Sequence, residues 1–477
     1  MEGMLDDLFD NADPWGSSFW SSLIALRREI HMYPEPGFKE ERTQKRIREI
    51  LTSTAGIPES QIKASAITGL VIDIVGMAAP RPNPSVKCVA LRADIDALTM
   101  TEANSTLPYK SRNVGVAHMC GHDGHLTSLV GAAILLQRRA SKIPANMTVR
   151  LLFQPAEEST PPGTGGFDYA KTGGGGAMPM IMEGCLENVD EVYGWHNWPA
   201  WPLGELRVAV GPVMAHTMTF EVVITGRGGH GSQPHATVDP IVCGAAVVSA
   251  LQTIVSRSLP SYKNAVVSVC QFHAGERSNV IPDEARLSGT IRDADAEAAA
   301  TIARRLPELV KGICKGFGCS ADVEMQDGFP PLVNHAGPTE AVERCARRLE
   351  APLGLRVTSE GLPMMGGEDF AFYVKQLPGC YFFLGTKEIL TRGLAAYDGT
   401  PSAVTRTNCI CHGTAFDFND NALVYAINMM VKIIEDRFGV ELYTQNEVLR
   451  APMASDPPSV VEEDEEGVPP KKLLRQG

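Results

Sequence analysis

The first part of the chain alternates between segments with an amphipathic, helix-like spacing of apolar residues and short, continuously apolar segments. The helix-like spacing predicts helices over residues 21–31, 40–52, 122–139 and 175–183. The continuous apolar runs predict buried strands over residues 86–92, 147–153 and 191–195. Strands and helices that alternate in this way are typical of a mainly parallel sheet covered by helices, so we predict an α/β fold.

The pattern changes after Met214, where strands with alternating polar and apolar residues follow. The alternation predicts strands over residues 217–225, 265–272, 284–292 and 321–325. Helical spacing predicts helices over residues 238–258 and 294–316. The resulting order, β-α-β-β-α-β, is that of a small ferredoxin-like domain.

This small domain is predicted to be inserted into the first one, because the first pattern resumes behind it. Residues 339–349 and 421–437 have helical spacing, and residues 380–384 are strand-like. The last residues are rich in Pro, Ser and acidic side chains, which favours disorder. We therefore predict a catalytic domain in two segments (15–212 and 328–445), an inserted lid or dimerisation domain (213–327) and a disordered tail (451–477).

Composition narrows the class of protein. The 477 residues suffice for two domains and a large core, and 44% apolar with 21% charged residues is ordinary for a soluble globular protein. A formal net charge of -13 argues against nucleic acid or an anionic membrane as partner. The acidic start lacks the features of a secretory signal, and the eleven cysteines are irregularly spaced. These features predict a cytoplasmic protein without a disulfide framework.

Side chains that bind metals follow three predicted strands and open one predicted helix. They are Asp94 and Asp96, Glu157 and Glu158, His196, and Cys120 with His122. Because ligands gather beyond the carboxyl ends of parallel strands, we expect these side chains to meet at one edge of the sheet. Thiolate and imidazole together suit zinc, and imidazole also accepts other first-row metals. The sequence therefore predicts a metal site there.

Several motifs together resemble a known family. They are HMYPEP from His31, LRADIDAL from Leu91, HMCGHDGH from His118, FQPAEE from Phe153, GWH from Gly194, GHGSQPH from Gly229, NVIP from Asn279 and GGEDF from Gly366. In this order they are similar to the metal-dependent aminoacylase/carboxypeptidase family. Within it they most resemble the amidohydrolase branch that contains hippurate hydrolases and indole-3-acetyl-amino-acid hydrolases.

The resemblance implies a site for two divalent metal ions, Zn²⁺ or Mn²⁺, with Co²⁺ or Ni²⁺ as alternatives. Its implied ligands are Cys120, His122, Glu158, His196 and His412, with Cys120 as the bridge. Glu157 is implied to be the general base and acid of the reaction. Two such ions, about 3.5–4 Å apart, would lower the pKa of a shared water and polarise an amide carbonyl.

Other roles are implied for residues around these ligands. Asp94 and Asp96 would orient ligand imidazoles through their ring N–H groups. His230, from the small domain and in this family often from a partner subunit, would stabilise the oxyanion, so a homodimer through the inserted domain is expected. The residues implied to contact substrate are Asn279, Gly367 and Glu368.

The predicted function is hydrolysis of N-acyl amino acids to a carboxylate and a free amino acid. One alternative is a dipeptidase or carboxypeptidase with the same machinery, and another is a non-catalytic binding protein that retains the fold. A third is a hydrolase that uses Cys120 as nucleophile and needs no metal.

Residues outside the ligand set receive simpler interpretations. His118 and His125 are expected to be structural or to orient ligands, and Cys409 with Cys411 to be ordinary thiols. Residues 159–172 and 388–408 look like insertions near the mouth of the site. Because these segments could change the entrance to the site, the acyl specificity of relatives does not predict that of this protein.

Overall fold

A computed structural model describes residues 17–158, 175–387, 410–444 and 447 of the chain. Its helices are α1 (Ser17–Met32), α2 (Glu41–Ser53), α3 (His122–Arg138), α4 (Ala177–Met182), α5 (Pro240–Thr253), α6 (Ala296–Gly316), α7 (Ala336–Arg348), α8 (Glu350–Leu353), α9 (Ala371–Val374) and α10 (Ala422–Phe438). Its strands are β1 (Ile62–Ser65), β2 (Gly69–Val75), β3 (Cys88–Asp94), β4 (Thr148–Gln154), β5 (Glu191–Pro202), β6 (Glu205–Arg207), β7 (Gly211–Met214), β8 (His216–Thr225), β9 (Gly229–His230), β10 (Ala265–Ala274), β11 (Val280–Ile281), β12 (Glu284–Asp293), β13 (Ser320–Asp327), β14 (Leu332–Asn334), β15 (Arg356–Thr358) and β16 (Gly379–Lys387).

The large sheet has eight strands in the order β1-β2-β4-β3-β5-β16-β6-β15. Its centre is parallel, since β3 pairs in parallel with β4 and β5, and β16 with β5. The predicted mainly parallel α/β fold is confirmed. The antiparallel strands β1 and β2 at one side of the sheet are not among the predicted elements, although the second half of β2 alternates buried and less buried residues.

Two apolar clusters cover the faces of this sheet. On one face α3 is enclosed by α1 and α10, and all its residues from His122 to Leu136 are buried. On the other face α4 and α9 pack on aromatic residues of β16, among them Tyr381 and Phe383. The helix that begins at His122 is therefore fixed on all sides, which makes its first turn a rigid platform for side chains.

The small domain is an antiparallel sheet in the order β10-β12-β8-β13, and α5 and α6 pack on one of its faces. The chain order is the predicted β-α-β-β-α-β. The strands β7 and β14 pair where the chain enters and leaves this domain. The predicted helix over 238–258 is correct in extent, but its last part, Ile254–Ser258, is a π-helix.

One helical stretch, Pro240–Ser258, is long and apolar enough by composition to span a membrane. Its residues Val247, Leu251 and Ile254 are buried in the core of the small domain. We therefore interpret it as a core helix of that domain. The predicted insertions 159–172 and 388–408 and the predicted tail 451–477 lie outside the described residues.

Candidate metal centre

Neighbouring parallel strands carry the acidic residues and one histidine to the same edge of the large sheet. Asp94 ends β3, Glu157 follows β4, and His196 lies within β5. β3 lies between β4 and β5 in the sheet, so their carboxyl ends are adjacent. The structure thus places these side chains together at one edge of the sheet, as the sequence predicts.

The turn before α3 supplies a thiol and a second imidazole. Gly121 has φ 109°, and a Cβ at this position would lie 2.1 Å from Oδ1 of Asn197. Only glycine fits this left-handed conformation and this close approach. The turn directs Cys120 towards β5, where its Sγ lies 3.3 Å from Nε2 of His196.

Donor atoms of the five predicted ligands meet in two groups that share a residue. Atoms of Cys120, His122 and His196 lie within 4.8 Å of one another, and so do atoms of Cys120, Glu158 and His412. Cys120 is common to both groups, which is the place that a bridging ligand would take. The structure thus brings together all five residues that the resemblance names.

Hydrogen bonds orient these imidazoles. Nδ1 of His122 lies 3.0 Å from the carbonyl oxygen and 3.1 Å from Oδ1 of Asp96, and Nδ1 of His196 lies 2.6 Å from the carbonyl oxygen of Asn197. Each Nδ1–H can donate there, which leaves Nε2 facing the cluster. Asp96 also accepts the backbone N–H of Glu158 at 3.0 Å. The orienting role implied for Asp96 agrees with this geometry.

Asp94 has a different partner from the one expected. Its Oδ1 lies 2.7 Å from Nδ1 of His125 but 3.8 Å from Nδ1 of His122. Nε2 of His125 in turn lies 2.7 Å from Oδ1 of Asn197. Donor atoms of Asp94, His122 and His125 also lie within 4.8 Å of one another. Both nitrogens of His125 are hydrogen-bonded, so we interpret this third group as support for the centre and not as a metal site.

The donor set fits divalent metal ions. Among the residues that the structure describes, Nε2 of His122 and Oε1 of Glu158 are buried and have no hydrogen-bond partner. Oε1 of Glu158 does lie 3.1 Å from Nε2 of His412, but without the alignment of a hydrogen bond. Burial and the neighbouring His125 ring hold the pKa of His196 well below its usual value, so its imidazole is in the neutral form that binds metals. Unpaired buried donors of these types are what zinc and other first-row ions require.

Glu157 lies beside this donor set, and its carboxylate forms a further close group with His122 and Glu158, but it belongs to neither group that contains Cys120. Its Oε2 is 3.9 Å from Nε2 of His122, and its carboxylate lines the cleft. Burial, with the nearby Glu368 carboxylate, raises the pKa of Glu157 well above its usual value. The preceding Ala156 has φ 51°, a bend that redirects the chain directly after β4. A buried carboxylate that faces the cleft suits the predicted base.

Arg92 is a central residue of the site that sequence analysis did not single out. Its buried guanidinium donates to Asp94 at 2.6 Å and to Asp369 at 2.9 Å, and it lies 3.0 Å from Glu368. Its Nε donates to Gln154 at 2.9 Å. An arginine inside a continuously apolar strand was the available signal, because such a charge must be paired when it is buried.

The predicted substrate contacts Gly367 and Glu368 both line the cleft. A Cβ on Gly367 would lie 2.3 Å from Cγ2 of Thr217, so this loop packs closely on the start of the small domain. Glu368 accepts a hydrogen bond from the Tyr381 hydroxyl at 2.6 Å, besides its ion pair with Arg92. Their contact with substrate stays a prediction, and Glu368 has clear structural partners.

His230 and Asn279 are brought together, but outside the cleft of their own chain. His230 pairs with Val280 between β9 and β11, and the N–H of Gly231 donates to the carbonyl of Asn279 at 2.8 Å. Both residues are exposed, and neither lines the cleft. Nδ1 of His230 lies 2.8 Å from the Ser232 hydroxyl. Their catalytic role stays a prediction that requires a second chain or a domain movement.

The cleft between the two domains has a volume of about 780 Å³. The predicted metal ligands lie in one wall, and the start of β8 with the ends of β12 and β13 forms the other. Arg292 of β12 lies in this second wall and has no acidic partner within ion-pair distance in the described part of the chain. The sequence signal was a charged residue next to Ile291 in an alternating strand, which places Arg292 on the face away from the domain core.

We expect His412→Ala to weaken metal binding by at least about tenfold, because this change removes a donor from the group with Cys120 and Glu158. Metal content per chain, measured by elemental analysis after dialysis, checks this. The control is His273→Ala, an exposed histidine on β10. Normal metal content in His412→Ala would remove this residue from the ligand set.

Comparison with known proteins identifies the family. The model of peptidase family M20/M25/M40 matches residues 90–436. N-acetylcysteine deacetylase of Bacillus subtilis (strain 168) is 36% identical over 369 residues, which are 77% of this chain and 89% of the relative. Thermostable carboxypeptidase 1 of Saccharolobus solfataricus is 36% identical over 366 residues, which are 76% of this chain and 86% of the relative.

Among solved structures, the Bacillus subtilis YXEP protein, described as a dinuclear metal binding peptidase from the M20 family, superposes with a TM-score of 0.67 at 30% identity. The match covers 88% of this chain and 98% of that one. The resemblance seen in the sequence motifs is confirmed, and so is a site for two divalent metal ions. The chain belongs to peptidase family M20/M25/M40 and is a metal-dependent amidohydrolase.

Proposed function

We propose that this enzyme hydrolyses the amide bond of N-acyl amino acids, releasing a carboxylate and a free amino acid. The observation that carries the proposal is the meeting of five metal donors beside a separate, buried Glu157 that faces the cleft. Amide hydrolysis needs an activated water, a proton carrier and charge stabilisation, and this arrangement offers a place for each.

The proposed reaction divides labour between adjacent residues. Cys120, His122, Glu158, His196 and His412 would hold two ions, which supply a water of lowered pKa and polarise the scissile carbonyl. Glu157 accepts the proton of the attacking water. It then delivers this proton to the leaving nitrogen, which departs as a neutral amine. Because Glu157 lines the cleft beside the donor cluster, one carboxylate can serve in both steps.

The walls of the cleft favour an acylated substrate. Met214, Met218, Trp198 and Phe329 give the cleft apolar surface. Such a surface accommodates an acyl group better than a charged ammonium group. We propose that the guanidinium of Arg292, on the opposite wall, pairs with the carboxylate of the amino acid part.

We expect Arg292→Gln to raise KM for an N-acyl amino acid about tenfold or more, because one charge-assisted contact to a carboxylate is lost. The matched control is Arg286→Gln on the same strand, where the arginine is exposed and pairs with Glu284. Steady-state kinetics with the substrate and with its C-terminal amide measure the effect. An equal loss on the amide would show that Arg292 does not bind the carboxylate.

We also propose that the protein acts as a homodimer through the inserted domain. The face of α5 that carries Ile241 and Val242 is exposed and apolar, and Phe272 is exposed on the neighbouring edge strand β10. A large exposed apolar face favours association. A partner chain would be able to bring its His230 to this cleft, where a ring N–H could stabilise the oxyanion.

We expect His230→Ala to lower kcat by about a hundredfold, as loss of an oxyanion donor does, without changing metal content. Kinetics and elemental analysis on the same preparation measure this. His235→Ala in the same loop is the control. A wild-type rate would end the role proposed for His230.

We propose that the two ions are Zn²⁺ or Mn²⁺. We also propose that the enzyme acts in the cytoplasm and that its binding partner is a small-molecule substrate. The cysteines in the described part of the chain are free, which suits a reducing compartment. The decisive experiment combines elemental analysis with removal of the metal by a chelator and restoration with single metals. Activity is then assayed on hippurate, N-acetyl amino acids and dipeptides. Higher kcat/KM on dipeptides would favour the carboxypeptidase or dipeptidase alternative. Activity that survives complete metal removal would favour Cys120 as nucleophile, and absence of turnover would favour a binding protein.

A further inference from the structure

A second thiol, Cys411, lies beside Cys120. Its Sγ is 3.6 Å from the carbonyl oxygen of Cys120 and 3.7 Å from Nδ2 of Asn197. The backbone N–H of His412 donates to the carbonyl of Met119 at 2.7 Å, which fixes the two segments side by side. Cys411 thus lies against Cys120, and the two thiols are close enough to interact.

The role proposed for the metal centre makes no use of Cys411. In the described part of the chain, no close group of metal donors includes its sulfur. The side chain is half-buried and lines the cleft, and Cys120, although 7% exposed, lines the same cleft. Small solutes in the cleft therefore reach a thiol that touches the residue shared by both donor groups.

The other close pair of thiols shows the contrast. Cys243 and Cys314 lie 3.5 Å apart at Sγ, between α5 and α6. They are 0% and 1% exposed, and neither lines the cleft. Buried thiols of this kind are inert towards oxidants. Of these two pairs, only Cys120 and Cys411 combine contact with access from the cleft.

We propose that Cys411 is a site of reversible oxidation that forms a disulfide with Cys120 and thereby releases the metal ions. The inference rests on the ligand role proposed for Cys120. Hydrogen peroxide is the oxidant: the Cys411 thiol attacks one peroxide oxygen, the O–O bond breaks, and a sulfenic acid and water form. The sulfur of Cys120 then attacks the Cys411 sulfur, the S–O bond breaks, and a second water leaves. Two thiols and one peroxide thus give one disulfide and two waters.

Loss of the Cys120 thiolate affects both donor groups at once. The thiolate, and not the disulfide sulfur, is the metal ligand. The remaining donors, His122 with His196 and Glu158 with His412, are too few to hold an ion tightly. A thiol reductant breaks the disulfide and restores the site, so oxidation would switch metal binding off reversibly.

The test uses the metal-loaded full-length protein and hydrogen peroxide. Metal release is followed with a chromogenic chelator, and the cross-link is located by mass spectrometry of peptides from alkylated, unreduced protein. We expect release of the ions together with a peptide pair joined through Cys120 and Cys411. Dithiothreitol followed by added metal should return the starting metal content.

Cys411→Ser is expected to lose its own initial metal content at least about tenfold more slowly at the same peroxide dose, because it lacks the thiol that peroxide oxidises first. Cys314→Ser, which breaks the buried pair, should behave as the parent does. Equal release from Cys411→Ser, or oxidation of Cys120 to a sulfinic acid without a cross-link, would overturn the proposal. Mass spectrometry detects the disulfide whether or not metal is bound. A protein that forms the cross-link but binds no metal would therefore contradict the proposed function and not the oxidation of Cys411.

Discussion

Replacing Glu157 by glutamine is expected to lower kcat by about three orders of magnitude while both metal ions stay bound. The amide of glutamine has nearly the same shape but cannot accept the proton of the attacking water. The carboxylate of Glu157 lies 3.9 Å from His122 and belongs to the site without completing either donor group that contains Cys120. Its removal should therefore affect proton transfer and spare metal binding.

The measurement pairs kcat with metal content on the same preparation. Glu158→Gln is the matched control, because it makes the same change one residue along the chain, in a residue grouped with Cys120 and His412. We expect Glu158→Gln to lose metal as well as activity. If Glu157→Gln loses metal to the same degree, Glu157 is a ligand and the proposed division of labour between the two glutamates is wrong.

The strand ends of the large sheet could be predicted from the sequence because they depend on local signals. Continuous apolar runs marked β3, β4 and β5, and a parallel sheet brings the residues after such runs to one edge. The acidic and histidine side chains at these ends could therefore be predicted without knowing which distant parts of the chain lie near them. The outer strand β1 was harder, since it has only four residues and two of them are exposed.

Contacts between distant segments could not be predicted from periodicity. Cys411 contacts Cys120 across 291 positions of the chain, and only the resemblance to a family placed His412 in the site. The partner of Asp94 was also missed: spacing gives no preference between His122 and His125, which lie on adjacent turns of α3. Packing of that helix against β5 decides that His125 faces Asp94.

The network around Arg92 shows most clearly what sequence reasoning lacked. Its acidic partners come from β3 and from the loop before α9, and Asp369 lies 277 positions away. The motif that contains Arg92 predicted metal chemistry for Asp94 and Asp96, whereas the arginine itself holds Asp94, Glu368 and Asp369 in place. A buried charge in a strand indicates that such partners exist, but not where they come from.

Replacing Arg92 by methionine is expected to lower the free energy of unfolding by about 3–5 kcal/mol, because buried carboxylates lose their only shared cation. The side chain of Arg92 is 1% exposed and those of Asp94, Glu368 and Asp369 are 0–2% exposed, so water cannot replace the guanidinium. Denaturant unfolding of the metal-free protein measures the loss without a contribution from bound ions. Arg92→Lys should recover part of it, since the charge returns without the fork that reaches three carboxylates.

The pH dependence separates this explanation from loss of packing. Against the effect of burial, His122, His125 and Arg92 hold the pKa of Asp94 well below its usual value. In Arg92→Met this pKa rises, so the folded protein takes up a proton at a higher pH and the deficit in stability should shrink towards acidic pH. A cavity or packing defect would give a deficit that does not change with pH. Asp94 belongs to a close donor group with His122, and Glu368 to another with Glu157. A deficit that shrinks with acid would therefore show that Arg92, which contacts both carboxylates, holds the acidic part of the catalytic centre together.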